Sequence, residues 1–171
     1  MKLLSNWGFS SESWKGSRGE YWVLLQAMLM VGYLLLPVYR PAVLEPLLQP
    51  PLIYAVWAVA GLLFLLAALL VVRGLIDLGD SLTPLPYPRD EAELVQTGVY
   101  GLVRHPLYSG IIIAAKAYAI GQLSLSHLIA TPVLFVFFNL KASREEIWLQ
   151  AKHPAYTDYQ QRVKKLIPWI M

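Results

Sequence analysis

Residues 98–120, GVYGLVRHPLYSGIIIAAKAYAI, set a polar, glycine-broken segment directly against an apolar one. Arg104, His105 and Tyr108 stand at the join. A cation and an imidazole beside an apolar run are costly to desolvate and need partners there. Two readings fit: a site for a charged small molecule, or a membrane anchor whose Arg104 and His105 face lipid headgroups. The surrounding chain has to decide between them.

Working outward, the apolar residues are clustered. The 171-residue chain is 57% hydrophobic and 15% charged, whereas about a quarter of an ordinary soluble domain is charged. Tyr21–Tyr39 and Leu52–Val72 are uncharged and long enough to span a bilayer, which takes roughly 20 apolar helical residues. Leu107–Leu125 is a third such stretch, interrupted by Lys116, which is expected to face the bundle interior or a watery cavity. Leu128–Leu140 is shorter and holds Pro132, as suits the return arm of a tight hairpin or a tilted span. The expected fold is all-α: a polytopic transmembrane helical bundle of about four spans, with a cytoplasmic C-terminal tail.

The net charge is +3, and its distribution says more than its size. Apart from Lys116, Lys and Arg fall at residues 2–18, 73–104 and 141–165, while the link between the first two stretches holds only Arg40 and the hairpin tip Gln122–His127 has none. With four spans all three basic segments share one side, which the positive-inside rule makes cytoplasmic. Anionic lipid then explains the basic tail better than nucleic acid, for which the dense basic and aromatic interleaving is lacking. There is no cysteine, so no thiolate chemistry and no Cys-type zinc site. His105, His127 and His153 lie far apart, and no metal centre is expected.

The chain reads as one domain, residues 1–171: a polar leader (1–19) without signal-peptide character, two N-terminal spans (20–72), and a loop, helical hairpin and tail (73–171). Alternating prolines in Ser81–Pro88, SLTPLPYP, impose an extended path. Asp90–Glu93 could begin a short helical turn. Lys141–Gln150 reads as a helix leaving the membrane, with Lys141 and Glu145 one turn apart, and Pro154 ends it. Ala155–Ile167 reads as an amphipathic helix with Tyr156, Tyr159, Val163 and Leu166 on one face. Strand signals are weak and no glycine fingerprint follows a strand, which argues against a Rossmann cofactor fold.

Two polar clusters therefore flank the last hairpin: Arg104, His105 and Tyr108 before it, Arg144, Glu145 and Glu146 after it. A hairpin brings its ends together, so both can line one pocket with cations, acids and aromatic faces suited to a zwitterionic ligand bearing a base. Adjacent acids point in different directions on a helix, so at most one of Glu145 and Glu146 faces that pocket. The bland alternative is a solvated helix face paired with Lys141 or Arg144. Tyr156 and Tyr159 read more readily as packing or interface anchors than as ligand walls. His127 reads as an exposed loop residue at the opposite tip, and His153 has no evident partner.

LVQTGVYGLVRHPLYSG, an apolar hairpin and then REEIWLQAKHPAYTDYQQRVKKLIPWI resemble, in order and spacing, the isoprenylcysteine carboxyl methyltransferase family and, more broadly, the phospholipid methyltransferases. The resemblance covers about Leu78 to Met171. It implies an integral membrane methyltransferase using S-adenosylmethionine on a lipidic or hydrophobic acceptor, by carboxyl-O or amine-N methylation. By position it implies cofactor binding by Gly98, Tyr100, Arg104, His105, Tyr108, Gly110, Glu145, Tyr156 and Tyr159. It gives catalytic roles to Glu145 and Glu146, with Arg144 or Lys141 standing in for an arginine the family often carries before the paired acids. Lys152, His153 and Pro154 depart from the family's usual Phe-Gly, which bears on acceptor recognition more than on the cofactor. Two rivals remain: a sterol-reductase-like membrane enzyme binding a nicotinamide dinucleotide, and a non-catalytic scaffold or ligand-sensing subunit.

Overall fold

The computed structural model describes residues 18–83, 85–88 and 92–170. Among them the chain is helical: α1 (Glu20–Leu35), α2 (Leu52–Leu78), α3 (Pro106–Gly121), α4 (Leu125–Lys152) and α5 (Tyr156–Arg162), with 3-10 turns at Ala42–Leu48, Gly79–Ser81 and Gly98–Gly101. The described residues form no strand, only one parallel bridge between Val103 and Lys164. Residues 1–17 of the polar leader lie outside the described residues, as do Asp90 and Glu91; Ala92 and Glu93, the rest of the expected turn, are not helical.

Two of these helices, α2 and α4, are long and apolar enough to cross a membrane by length and composition. At about 1.5 Å per residue, the 27 residues of α2 reach about 40 Å, beyond the roughly 30 Å of hydrocarbon. Only 6% of its most apolar window is buried within the protein, so apart from the side packed on α3 the helix turns an apolar surface outward. The other two expected spans are shorter apolar helices, α1 and α3, of 16 residues each.

Local chemistry sets the hairpin. Pro106 occupies the first turn of α3, where its missing N–H costs nothing. The Ser124 hydroxyl caps α4 by accepting from the His127 N–H. The helix then runs unbroken through Pro132 to Lys152, 28 residues in place of the expected short Leu128–Leu140 arm. His153 turns extended before Pro154, as pre-proline sterics favour. Helix α3 lies close along α2 because Gly110 admits it: a Cβ there would sit 2.6 Å from Val71 Cγ2 and 3.0 Å from the Ala67 carbonyl. Between α1, α3 and α4 a core of Tyr33, Ala115, Leu134, Phe137 and Phe138 is closed by Trp22 and Tyr108.

Three expectations are corrected. His127 is not an exposed loop residue but fully buried, its Nδ1 2.6 Å from Ser124 Oγ and its ring edge-on to Tyr33 and Tyr118. Lys116 does not face the interior: it is exposed on α3, whose inward positions are the alanines at 115, 117 and 119. The tail helix ends at Arg162, not Ile167, and Val163 turns extended. The carbonyls of Lys164 and Lys165 instead accept the N–H groups of Arg104 and His105, at 2.8 and 3.1 Å, satisfying donors that the turn into α3 would otherwise leave bare.

Candidate active site

The two ends of the hairpin meet. On the first turn of α3 the Tyr108 hydroxyl donates to Glu145 Oε2 at 2.9 Å, and the His105 ring stacks on Tyr108 with centroids 5.4 Å apart. Glu145 and Glu146 part company as their helical spacing requires. Glu145 is on the wall of a cavity of about 320 Å³. Glu146 turns to the tail, where its Oε1 accepts from Arg104 Nε at 2.8 Å and lies 3.1 Å from His105 Nε2, and its Oε2 accepts from Gln160 at 3.1 Å. The Tyr156 hydroxyl donates to Oε1 at 3.4 Å, and Lys165 lies 3.9 Å from Oε2. Both acids are inward-facing, so the solvated-face alternative does not hold.

Arg104 fastens the tail as well as Glu146. Its Nη1 donates to the carbonyls of Gln160 and Val163. The Ser109 hydroxyl donates to the Leu166 carbonyl at 2.7 Å, and the Tyr159 hydroxyl to the Tyr100 carbonyl at 2.5 Å. The tail is thus stitched to the loop before α3 by side chains that alternate with backbone pairs. Burial holds the hydroxyls of Tyr100, Tyr156 and Tyr159 protonated well above the ordinary tyrosine range, with Glu145 adding to the effect at Tyr100 and Glu146 at Tyr156. Burial, and then Lys152, pushes the His153 imidazole toward its neutral form.

Of the residues the sequence singles out, Tyr100, Arg104, His105, Tyr108, Glu145, Tyr156 and Tyr159 share this cavity. Gly98, Gly110, Arg144 and Glu146 are not on its wall. Gly98 sits at φ +60° against Asp77, whose Oδ2 accepts the Val99 N–H at 2.9 Å. Arg144 is exposed, its guanidinium 4.6 Å from the Trp148 ring centroid. Lys141 is on the wall and 1% exposed; its Nζ donates to Gln26 Oε1 at 2.6 Å and lies 5.2 Å from the Tyr108 ring centroid. Among the described residues it bonds no carboxylate, although Glu145 is one turn away.

Sequence reasoning misses Gln26 and the stretch around Ser81–Thr83, which complete the wall. Gln26 had a signal: it is the one amide in an uncharged 21–39 stretch, and a strongly polar group inside an apolar span usually has a partner there. The Ser81 hydroxyl contacts the backbone of Glu93, accepting its N–H at 3.2 Å, so the proline-rich connector folds back over the site. No local pattern announces that closure.

Residues 55–155 match the family model described as phospholipid methyltransferase. The chain belongs to this family. The matched segment carries α2, the connector, the hairpin and both acids. Two curated relatives, each a "Probable protein-S-isoprenylcysteine O-methyltransferase", from Oryza sativa subsp. indica and subsp. japonica, are 37% identical over 83 residues. That alignment covers 47% of this chain and 44% of each relative, so the chain spans less than half the length of the curated relatives it matches. Membership in the phospholipid methyltransferase family agrees with the resemblance carried by the two clusters flanking the hairpin.

Proposed function

We propose that this protein is an integral membrane methyltransferase that moves the methyl group of S-adenosylmethionine to the carboxylate of an apolar acceptor. The observation that carries this reading is the presence, on one cavity wall, of a largely buried carboxylate at Glu145 and a buried ammonium at Lys141. Each charge alone is costly to bury, so a cavity holding both suits ligands of both signs.

The residues fit the cofactor. Glu145 gives a fixed negative charge for a sulfonium or an α-ammonium group, and Tyr108 holds that carboxylate in place. Tyr100, Tyr156 and Tyr159 stay neutral and offer ring faces for a nucleoside, their hydroxyls held by the Gly74 carbonyl, the Glu146 carboxylate and the Tyr100 carbonyl. The cavity volume is at the lower end of the roughly 300–1,000 Å³ usual for small-molecule sites. A diphosphate-bearing dinucleotide fits less well, because Glu145 would face its charge. When bound, S-adenosylmethionine supplies a methyl group already activated by its sulfonium.

What remains for the protein is positioning and electrostatics. An ammonium has three donors and Gln26 takes one, leaving Lys141 able to hold the acceptor carboxylate. A carboxylate reacts as the anion, so no general base is required. An amine acceptor would need deprotonation, and Lys141 would repel it before that. Val23 on α1 and Ile111 on α3 continue the cavity into the apolar part of the bundle, as an acceptor arriving from lipid requires. In this account α1 to α4 all lie in the bilayer and the tail faces the cytoplasm, following the basic segments.

The test is methyl transfer in lipid nanodiscs, with labelled S-adenosylmethionine and either an S-farnesyl cysteine carboxylate or phosphatidylethanolamine as acceptor. The account predicts base-labile label on the carboxylate, and at least a tenfold loss of kcat/KM in Lys141→Met. Label on the amine lipid alone would overturn the acceptor class. Cofactor binding without transfer to either would favour a scaffold or sensing subunit.

A further inference from the structure

A second cavity, of about 240 Å³, is framed by Gly101, Leu102, Arg162, Val163, Lys164 and Trp169. We infer that this cavity binds the phosphate headgroup of an anionic phospholipid in the membrane around the bundle. It stands apart from the methyl-transfer cavity and shares none of its lining residues.

The charge is uncompensated. Arg162 spends Nε on the Asp158 carbonyl and Nη2 on Gln96 Oε1, both neutral acceptors, and pairs with no carboxylate among the described residues. The Asp158 side chain belongs to the same short helix but does not frame the cavity. Lys164 is held through its backbone, by the bridge to Val103 and by the N–H of Arg104, while its side chain is exposed and has no partner among the described residues. Two cations two positions apart, one ending the short tail helix and one in the extended chain after it, thus frame one opening.

The apolar surroundings select the source of the phosphate. Leu102, Trp169 and Ile170 are 55%, 87% and 75% exposed. Such a cluster in water is unfavourable in proportion to its apolar area. Leu102 lies four positions before Pro106, where α3 begins, so the cluster is at the end of the bundle where the chain leaves its polar loop for an apolar helix. An indole and a leucine beside cations at that depth match the interface of a bilayer, and each nearby Lys or Arg favours an anionic leaflet by about 1 kcal/mol. Free phosphate would engage the cations and leave the apolar cluster bare.

The experiment is native mass spectrometry of the full chain in detergent, offered phosphatidylglycerol and phosphatidylcholine in equal amounts. The two cations predict a preference for phosphatidylglycerol of roughly tenfold to thirtyfold. Arg162→Gln with Lys164→Gln should remove that preference. Lys164→Gln alone, at a side chain with no folding partner, should reduce it about fivefold. Trp169→Ala should weaken retention of both lipids. Equal retention by the unaltered chain, no change in Lys164→Gln, or displacement of phosphatidylglycerol by millimolar inorganic phosphate would overturn the inference.

Discussion

The Tyr108 hydroxyl and Glu145 Oε2, 2.9 Å apart, join residues 37 positions apart in sequence. That bond fixes which of the two adjacent acids serves the cavity. If Glu145 faces a sulfonium, Glu145→Gln should weaken S-adenosylmethionine at least tenfold and the uncharged thioether S-adenosylhomocysteine by clearly less. Equilibrium binding of both ligands checks this, and equal losses would place Glu145 away from the sulfur. Tyr108→Phe removes one charged hydrogen bond and should cost about 1.5–3 kcal/mol in the same assay.

Glu146 has a different task. It is the shared acceptor of Arg104, His105 and Gln160, with side-chain exposure of 8%. Glu146→Ala leaves Arg104 buried without its counter-ion, which typically costs about 3–5 kcal/mol. Thermal unfolding in detergent should register that loss. Limited proteolysis should find new cleavage near Arg162 and Lys164, because the tail loses its clamp. An unchanged melting temperature would mean that the tail is held without this ion pair.

Two glycines separate backbone strain from close approach. Gly79 and Gly98 both have positive φ, +49° and +60°. A Cβ at Gly79 would meet nothing within 4 Å, whereas one at Gly98 would sit 2.0 Å from Asp77 Oδ2. Gly79→Ala should cost about 1–3 kcal/mol from conformation alone, because its ψ of −126° lies outside the left-handed helical region. Gly98→Ala should cost about 1–3 kcal/mol beyond its conformational strain, since Asp77 must also give up the Val99 N–H. Unfolding midpoints of the two variants decide it, and equal losses would contradict the geometry.

The hairpin and its polar ends are legible in the sequence because few alternatives exist for long uncharged runs, and because a hairpin constrains where its ends can lie. The separation of Glu145 from Glu146 follows from helical periodicity, though not which of them faces inward. That depends on Tyr108 and on the tail. The tail itself misleads: Tyr156, Tyr159, Val163 and Leu166 keep a helical spacing, yet backbone donors at Arg104 and His105 draw Lys164 and Lys165 into an extended path. His127 is missed for a related reason. A polar residue at a loop reads as exposed unless one knows that Ser124, Tyr33 and Tyr118 surround it.

Alkaline conditions should unlock the tail. Tyr100, Tyr156 and Tyr159 all titrate above their ordinary value of 10.0 when folded. Their contribution is therefore fully present below pH 10, where folded and unfolded chains are both protonated. It is lost as pH rises past 10, where the unfolded chain releases protons first. Tyrosinate absorbance should show these three remaining protonated until the helical signal collapses. Replacing Tyr156 by Phe should make stability less steep in pH above 10. Early ionisation of all tyrosines with the fold intact would contradict their burial.

The most direct test of the cavity as a methyl-donor site is calorimetric titration in lipid nanodiscs with S-adenosylmethionine, S-adenosylhomocysteine and, as control, a nicotinamide dinucleotide. The account predicts saturable binding of one equivalent of each of the first two, none of the third, and weakened S-adenosylmethionine binding in Glu145→Gln. A well-folded protein that binds neither sulfur ligand, or that prefers the dinucleotide, would contradict it.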